Sequence, residues 1–158
     1  STANVSSPGG EPAADGPGLS DEPEDALDGL HLLLVDDDRE ACAMLHIILG
    51  DRGAVVEVTH DYEGALASLA IQQPEVIISD VGMPGKDGYQ LIREIRRREA
   101  ATGRRVPALA LTAFTRGQDQ QQALDAGFDA HCPKPVQPLQ LVQQVRRLAG
   151  RSTFGPFR

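Results

Sequence analysis

Long apolar runs are missing from this 158-residue chain. Runs such as residues 32–35 and 76–78 have the length of a strand, and none approaches the ~20 residues a bilayer span needs, so no direct membrane contact is expected. The N-terminus lacks a basic patch followed by an apolar stretch, so no signal peptide is read there. Cysteine is scarce: Cys42 and Cys132 alone make neither a disulfide framework nor a zinc site, and a reducing, cytoplasmic setting fits them. Aromatic residues are only 4% of the chain and none interleaves the Arg-rich stretch from Arg93 to Arg105, so a solvated helix face is expected there and no nucleic-acid partner. Positive charge is absent from residues 1–29, which hold seven acids and no Lys or Arg. The other 129 residues carry 16 acids against 15 bases, so the folded part is near neutral and lacks a surface built on phosphate attraction. Nothing resembling a DNA-binding helix-turn-helix follows the last helical segment.

Residues 1–29 also hold five Gly and four Pro with few large apolar side chains. Such a composition buries too little surface to offset the entropy of ordering, so a flexible acidic linker is expected, followed by one domain over residues 30–149 and a short irregular tail at 150–158. Within the domain, short apolar runs alternate with helical periodicity. Strands are predicted at residues 32–35, 55–59, 76–78, 108–111 and 130–132. Helices are predicted at 39–50 (Ala41, Met44, Leu45, Ile48 and Leu49 inward), 61–72, 87–98, 117–126 and 138–148. Five strand–helix repeats at this pitch imply a parallel sheet covered on both faces, because parallel strands need crossovers. Sites in such sheets form beyond the carboxyl ends of the strands.

The residues at those ends carry chemistry. Asp36, Asp37 and Asp38 follow the first strand, Ser79 and Asp80 the third, Thr112 the fourth, and Pro133, Lys134 and Pro135 the fifth. The second strand ends in Thr59 and His60, with no comparable group. Crowded carboxylates repel unless a cation intervenes, and oxygen donors with room for water suit Mg²⁺. Asp38 is expected to cap the following helix. Lys134, one of two lysines beside thirteen arginines, supplies a compact positive charge for a phosphoryl oxygen. Carboxylates, a hard cation, ammonium and hydroxyl together describe phosphoryl transfer, in which catalysis is mostly positioning and charge neutralisation.

The constellation resembles the receiver domain of two-component response regulators. The resemblance covers residues 30–149 and rests on Leu33-Leu34-Val35-Asp36-Asp37-Asp38, on Asp80-Val81-Gly82-Met83-Pro84-Gly85-Lys86-Asp87-Gly88, on Leu111-Thr112-Ala113 and on Lys134-Pro135. It implies a flavodoxin-like (βα)5 fold, an α/β three-layer sandwich with strand order 2-1-3-4-5. It implies Asp80 as the phosphoacceptor, taking a phosphoryl group from a phosphohistidine. The metal ligands would be Asp37 directly, Asp36 through a water, Asp80 itself and the Gly82 carbonyl. Lys134 would pair with the phosphoryl group, the Thr112 hydroxyl would move toward it, and the Lys134–Pro135 bond would be cis. The partner would be a histidine kinase or a histidine phosphotransfer protein. The chain departs from the family at His131, which stands where a Tyr or Phe rotamer switch is common. Gly82 and Phe114 occupy positions that tune phosphoryl lifetime. The runs 110–116, 126–131 and 134–136 look like receivers of hybrid sensor histidine kinases.

Other features are read more plainly. Cys42 and Cys132 are core fillers, and His46 and His60 have no role. His131 beside Cys132 is too sparse for a metal site. Ile47 and Ala43 face away from the core, and Ile47 is a candidate contact surface. Two other functions fit parts of the pattern. One is a receiver-like binding module that works without phosphorylation. The other is an aspartyl phosphatase, which the resemblance opposes because Gly82 stands where such enzymes carry a second Asp. The chain is expected not to be an enzyme beyond catalysing its own phosphorylation and dephosphorylation.

Overall fold

The apolar runs form the centre of a parallel sheet. In the computed structural model, which describes residues 24–113 and 117–150, five strands alternate with five helices. In chain order these are β1 (His31–Val35), α1 (Arg39–Gly50), β2 (Val55–Thr59), α2 (Tyr62–Ile71), β3 (Val76–Asp80), α3 (Gly88–Thr102), β4 (Ala108–Thr112), α4 (Gly117–Ala126), β5 (Ala130–Pro133) and α5 (Pro138–Leu148). Neighbouring strands pair in parallel in the order β2-β1-β3-β4-β5. This is the flavodoxin-like order that the resemblance implied.

Successive side chains on a strand point to opposite faces, so each apolar run feeds two cores. Leu32, Leu34, Ile78, Leu109 and Leu111 pack with Leu45 and Leu49 of α1 and Leu141 and Val145 of α5. Leu33, Val35, Ile77 and Ala110 pack with Ala65 of α2, Leu91, Ile92 and Ile95 of α3 and Ala123 of α4. Burial on both faces explains why β1, β3 and β4 show no polar alternation. Right-handed crossovers place α1 and α5 on one face because the chain first steps outward from β1 to β2, then returns past β1 to β3. That reversal between β1 and β3 opens a crevice at their carboxyl ends.

Side-chain caps start three of the helices there. Asp38 accepts from the Glu40 and Ala41 amides, Asp61 from the Gly64 amide, and Asp87 exchanges bonds with Gln90 in a capping box.

Three expectations need correction. The fold begins earlier than residue 30. Residues 24–29 form turns in which Ala26 and Leu27 are buried in the α1/α5 core, the Leu27 amide bonds to the Arg52 carbonyl at 2.9 Å, and the Gly29 amide bonds to the Gly53 carbonyl at 3.0 Å. Two apolar side chains in an otherwise acidic segment carry this, and average composition hides them. The rest of the expected linker, residues 1–23, and residues 151–158 lie outside the described residues. On α1, Met44 is 59% exposed and Cys42 is buried, so the inward stripe is Cys42, Leu45 and Leu49, with Ile48 half-buried against the same core. Ile47, 61% exposed, faces solvent as expected. Finally, α3 runs to Thr102. Its apolar stripe stops at Ile95, but Glu99, Ala100 and Ala101 favour helix, and the chain turns only at Gly103, whose φ is 77°.

Candidate functional site

Strand register assembles the site. Val35 pairs with Ser79, Asp80 with Leu111, and Thr112 with Pro133. One step beyond each of these levels, the chain delivers Asp36, Thr112 and Lys134 to the same edge of the sheet as Asp80. Asp36 and Asp80 are buried and Asp37 is exposed. One carboxylate oxygen from each of the three lies within 4.8 Å of the others. The Lys134 ammonium donates to Asp80 Oδ1 at 3.0 Å and stands 3.7 Å from Asp36 Oδ2. Asp80 Oδ1 also accepts from the Gly82 amide at 3.3 Å, and Asp36 Oδ1 accepts from the Asp38 amide at 3.0 Å. Asp38 itself turns away from the cluster to cap α1.

Three carboxylates against one ammonium leave two negative charges unbalanced. Burial raises the Asp36 carboxyl above its ordinary value; the Asp38 amide opposes this and the charge of Asp80 adds to it. Burial alone pushes the Lys134 ammonium down, but its hydrogen bond to Asp80 and the charges of Asp80 and Asp36 outweigh that and hold it above the usual lysine range. Asp36 Oδ2 is buried without a hydrogen-bond partner among the described residues. An oxygen-only donor set with surplus negative charge and an unsatisfied carboxylate oxygen fits a hard divalent cation.

The other expected residues lie around this cluster. Thr112 is buried, its Oγ1 has no hydrogen-bond partner among the described residues, and its carbonyl accepts from the Lys134 amide at 2.7 Å. The Lys134–Pro135 peptide is cis. Gly82 is exposed beside Asp80. His131 pairs with Ala110 on β4; its carbonyl accepts from Gln144 Nε2 at 2.8 Å, and its Nδ1 is buried without a partner among the described residues. Phe114 lies outside the described residues. His131 and Cys132 do not enter the metal-ligating cluster, and Cys132 is buried with its thiol pushed up by desolvation.

His60 was expected to have no role, and the structure corrects this. Its Nδ1 stands 2.9 Å from the Asp36 carbonyl oxygen, and Cys42 Sγ donates to the same oxygen at 3.2 Å. The available signal was position: His60 is the first residue after β2, on the same edge of the sheet as Asp36 and Asp80. The arginines also do more than solvate a face. Arg96 bonds Gly127 O, Val106 O, Glu99 and Asp129, Arg105 bonds Asp129, and Arg97 and Arg98 both bond Glu94. No helix among the described residues is long and apolar enough to cross a membrane.

Comparison with known proteins agrees with this geometry. Residues 32–146 match the family of response regulator receiver domains. An uncharacterised 14.6 kDa protein of Leptolyngbya boryana is 41% identical over 118 residues, which are 75% of this chain and 88% of that one. Hybrid signal transduction histidine kinase D of Dictyostelium discoideum is 34% identical over 128 residues, 77% of this chain but only 8% of the kinase. The crystal structure of the signal receiver domain of a signal transduction histidine kinase from Syntrophus aciditrophicus superposes with a TM-score of 0.69 at 28% identity, covering 82% of this chain and 97% of that one.

Proposed function

We propose, because this chain belongs to the response regulator receiver domains of two-component signal transduction, that it acts as a Mg²⁺-dependent phosphoacceptor with Asp80 as the nucleophile. The observation that carries this reading is the meeting of three carboxylates and one ammonium at one crevice, with Lys134 3.0 Å from Asp80 Oδ1.

Asp36, Asp37, Asp80 and the Gly82 carbonyl would hold the ion. Mg²⁺ bound there would supply charge neutralisation for the phosphoryl oxygens. With Oδ1 of Asp80 engaged by Lys134, Oδ2 is the oxygen offered to phosphorus. The Oδ2–P bond forms as the P–N bond to the donor imidazole breaks, and the electron pair leaves with the imidazole nitrogen. Lys134 then pairs with a phosphoryl oxygen. The unpartnered Thr112 hydroxyl turns toward the phosphoryl group, and movement of His131 on β5 carries the change to the neighbouring surface.

The donor is a histidine kinase or a histidine phosphotransfer protein, a reading supported by the likeness to part of a hybrid histidine kinase. Exposed Met44 and Ile47 on α1 offer that donor an apolar contact beside the acidic crevice. The buried free thiols of Cys42 and Cys132 suit action in the reducing cytoplasm. Beyond forming and losing its own aspartyl phosphate, the domain turns over no small substrate, because Gly82 supplies no acid/base carboxyl.

Incubation with Mg²⁺ and a small phosphodonor, read by intact-protein mass spectrometry, tests this. One phosphoryl group should add in Mg²⁺, none in a chelator, and none to Asp80→Asn. No addition to the wild type, or addition that persists in Asp80→Asn, overturns it.

A further inference from the structure

The end of β1 is held from outside the cluster. The Asp36 amide donates to the Thr59 carbonyl at 3.1 Å, and the next residue of the same chain segment, His60, reaches back to the Asp36 carbonyl at 2.9 Å. A carbonyl oxygen only accepts, so the His60 Nδ1 that faces it carries the hydrogen. Cys42 Sγ gives this oxygen its second donor at 3.2 Å. Burial, with the nearby Asp36 and Asp38 charges adding to it, pushes that thiol up to about 11, which keeps it a protonated donor. Both lone pairs of the carbonyl are thereby used.

The peptide so fixed is the one that leads into Asp37. Asp36 has its own side-chain anchor, the Asp38 amide on Oδ1. Asp37 has none: among the described residues no hydrogen bond or ion pair holds its exposed carboxylate, so the peptide before it is what fixes the point from which that side chain reaches toward the cluster. We propose that His60 is a positioning residue for the divalent-cation site, its Nδ1–H on the Asp36 carbonyl aiming Asp37 at the ion. This rests on the functional reading above and extends it to a residue outside the carboxylate cluster. Outer groups that orient ligands typically change metal affinity by about 10-fold or more when removed.

The side-chain nitrogen of Asn overlays Nδ1 of His, whereas that of Gln overlays Nε2. His60→Asn therefore keeps the donor in place, and His60→Gln and His60→Ala lose it. Mg²⁺ would be titrated into the full chain by calorimetry, with each variant's fold checked by its urea midpoint. The expected result is a Kd raised about 10-fold in His60→Gln and His60→Ala and within about twofold of wild type in His60→Asn. If His60→Ala does not fold, the Asn and Gln pair still separates the outcomes. In metal-free protein, ¹⁵N NMR should find neutral His60 as the Nδ1–H tautomer. Wild-type affinity in His60→Gln, an equal loss in His60→Asn, or an Nε2–H tautomer overturns the proposal. A wild type that takes no Mg²⁺ overturns the functional reading and this inference together, whereas a wild type that binds with an unresponsive His60 series overturns the inference alone.

Discussion

The side chains of Asp80 and Lys134, 54 residues apart in the chain, meet at 3.0 Å across the carboxyl edge of the sheet. Lys134 also stands 3.7 Å from Asp36 Oδ2, so a single ammonium is shared between two buried carboxylates while Asp37 adds a third charge nearby. Carboxylates held this close repel one another unless a cation lies among them. The same geometry therefore bears on stability as well as on chemistry.

Asp36 should cost the metal-free fold stability at neutral pH. Its carboxyl is raised by burial, with the Asp80 charge adding to it and the Asp38 amide opposing. The folded state therefore binds its proton more readily than the unfolded state, and the stability this gives at low pH is lost as pH rises through the folded value. Asp36→Asn should raise the thermal midpoint in chelator by a few degrees, the shift that about 1 kcal/mol makes in a domain of this size. Mg²⁺ should then stabilise the wild type more than the variant. Calorimetry with and without Mg²⁺ checks this, and a variant less stable than wild type in chelator contradicts it.

Gly88 lets the start of α3 close against β3. A Cβ there would stand 2.3 Å from the Asp80 carbonyl oxygen and 2.7 Å from Val81 Cα, both of them backbone. Gly88→Ala should lower unfolding stability by about 1–3 kcal/mol and slow phosphorylation of Asp80, because the end of β3 must shift to make room. A urea midpoint and a phosphorylation rate matching wild type would refute this.

Arg96 ties α3 to the two connections beside it. Its guanidinium bonds Gly127 O at 2.9 Å, Val106 O at 2.7 Å, Glu99 at 2.7 Å and Asp129 at 3.0 Å, and Asp129 also accepts from the Ala108 amide at 2.8 Å. Arg96→Ala takes one donor from each of two half-buried carboxylates and two carbonyls, while Glu99 keeps the Val106 amide and Asp129 keeps Arg105 and the Ala108 amide, so it should cost about 1–3 kcal/mol in urea unfolding. Mg²⁺ affinity should be unchanged, since the network lies at the opposite edge of the sheet. Wild-type stability, or a large loss of Mg²⁺ affinity, would be the contrary result.

Glu94 should stay ionised below the pH at which an ordinary glutamate takes its proton. Its hydrogen bonds to Arg97 and Arg98 hold its carboxyl down to about 2. Its contribution is present above the unfolded carboxylate value and is lost as pH falls toward about 2, the window in which α3 should begin to loosen. A ¹³C carboxyl titration should find the low midpoint at low salt and a rise toward the ordinary range in high salt or in Arg97→Gln. An ordinary midpoint at low salt would contradict the pairing.

Much of this was legible in the residues. Short apolar runs that alternate with segments of helical periodicity read as strands covered on both faces, and their polar endings then converge at one edge of the sheet, which is how Asp36, Asp80, Thr112 and Lys134 could be named from the sequence. Local pattern failed where single contacts decide. Leu27 is buried by a turn that composition averages away, Met44 sits on the solvent side of α1 although it fits the apolar spacing, and α3 continues past its last core residue because only Gly103 stops it. His60 escaped because its partner is a backbone carbonyl just beyond the end of another strand, and no side-chain pattern records such a bond.

The most direct test of the account is the location of the phosphoryl group. After phosphorylation in Mg²⁺, borohydride reduces an acyl phosphate and leaves a mass signature on the residue that carried it, which peptide sequencing by mass spectrometry can read. The account predicts that signature at Asp80 alone. A signature at Asp36, Asp37 or elsewhere, or none from a protein that binds Mg²⁺, would contradict it.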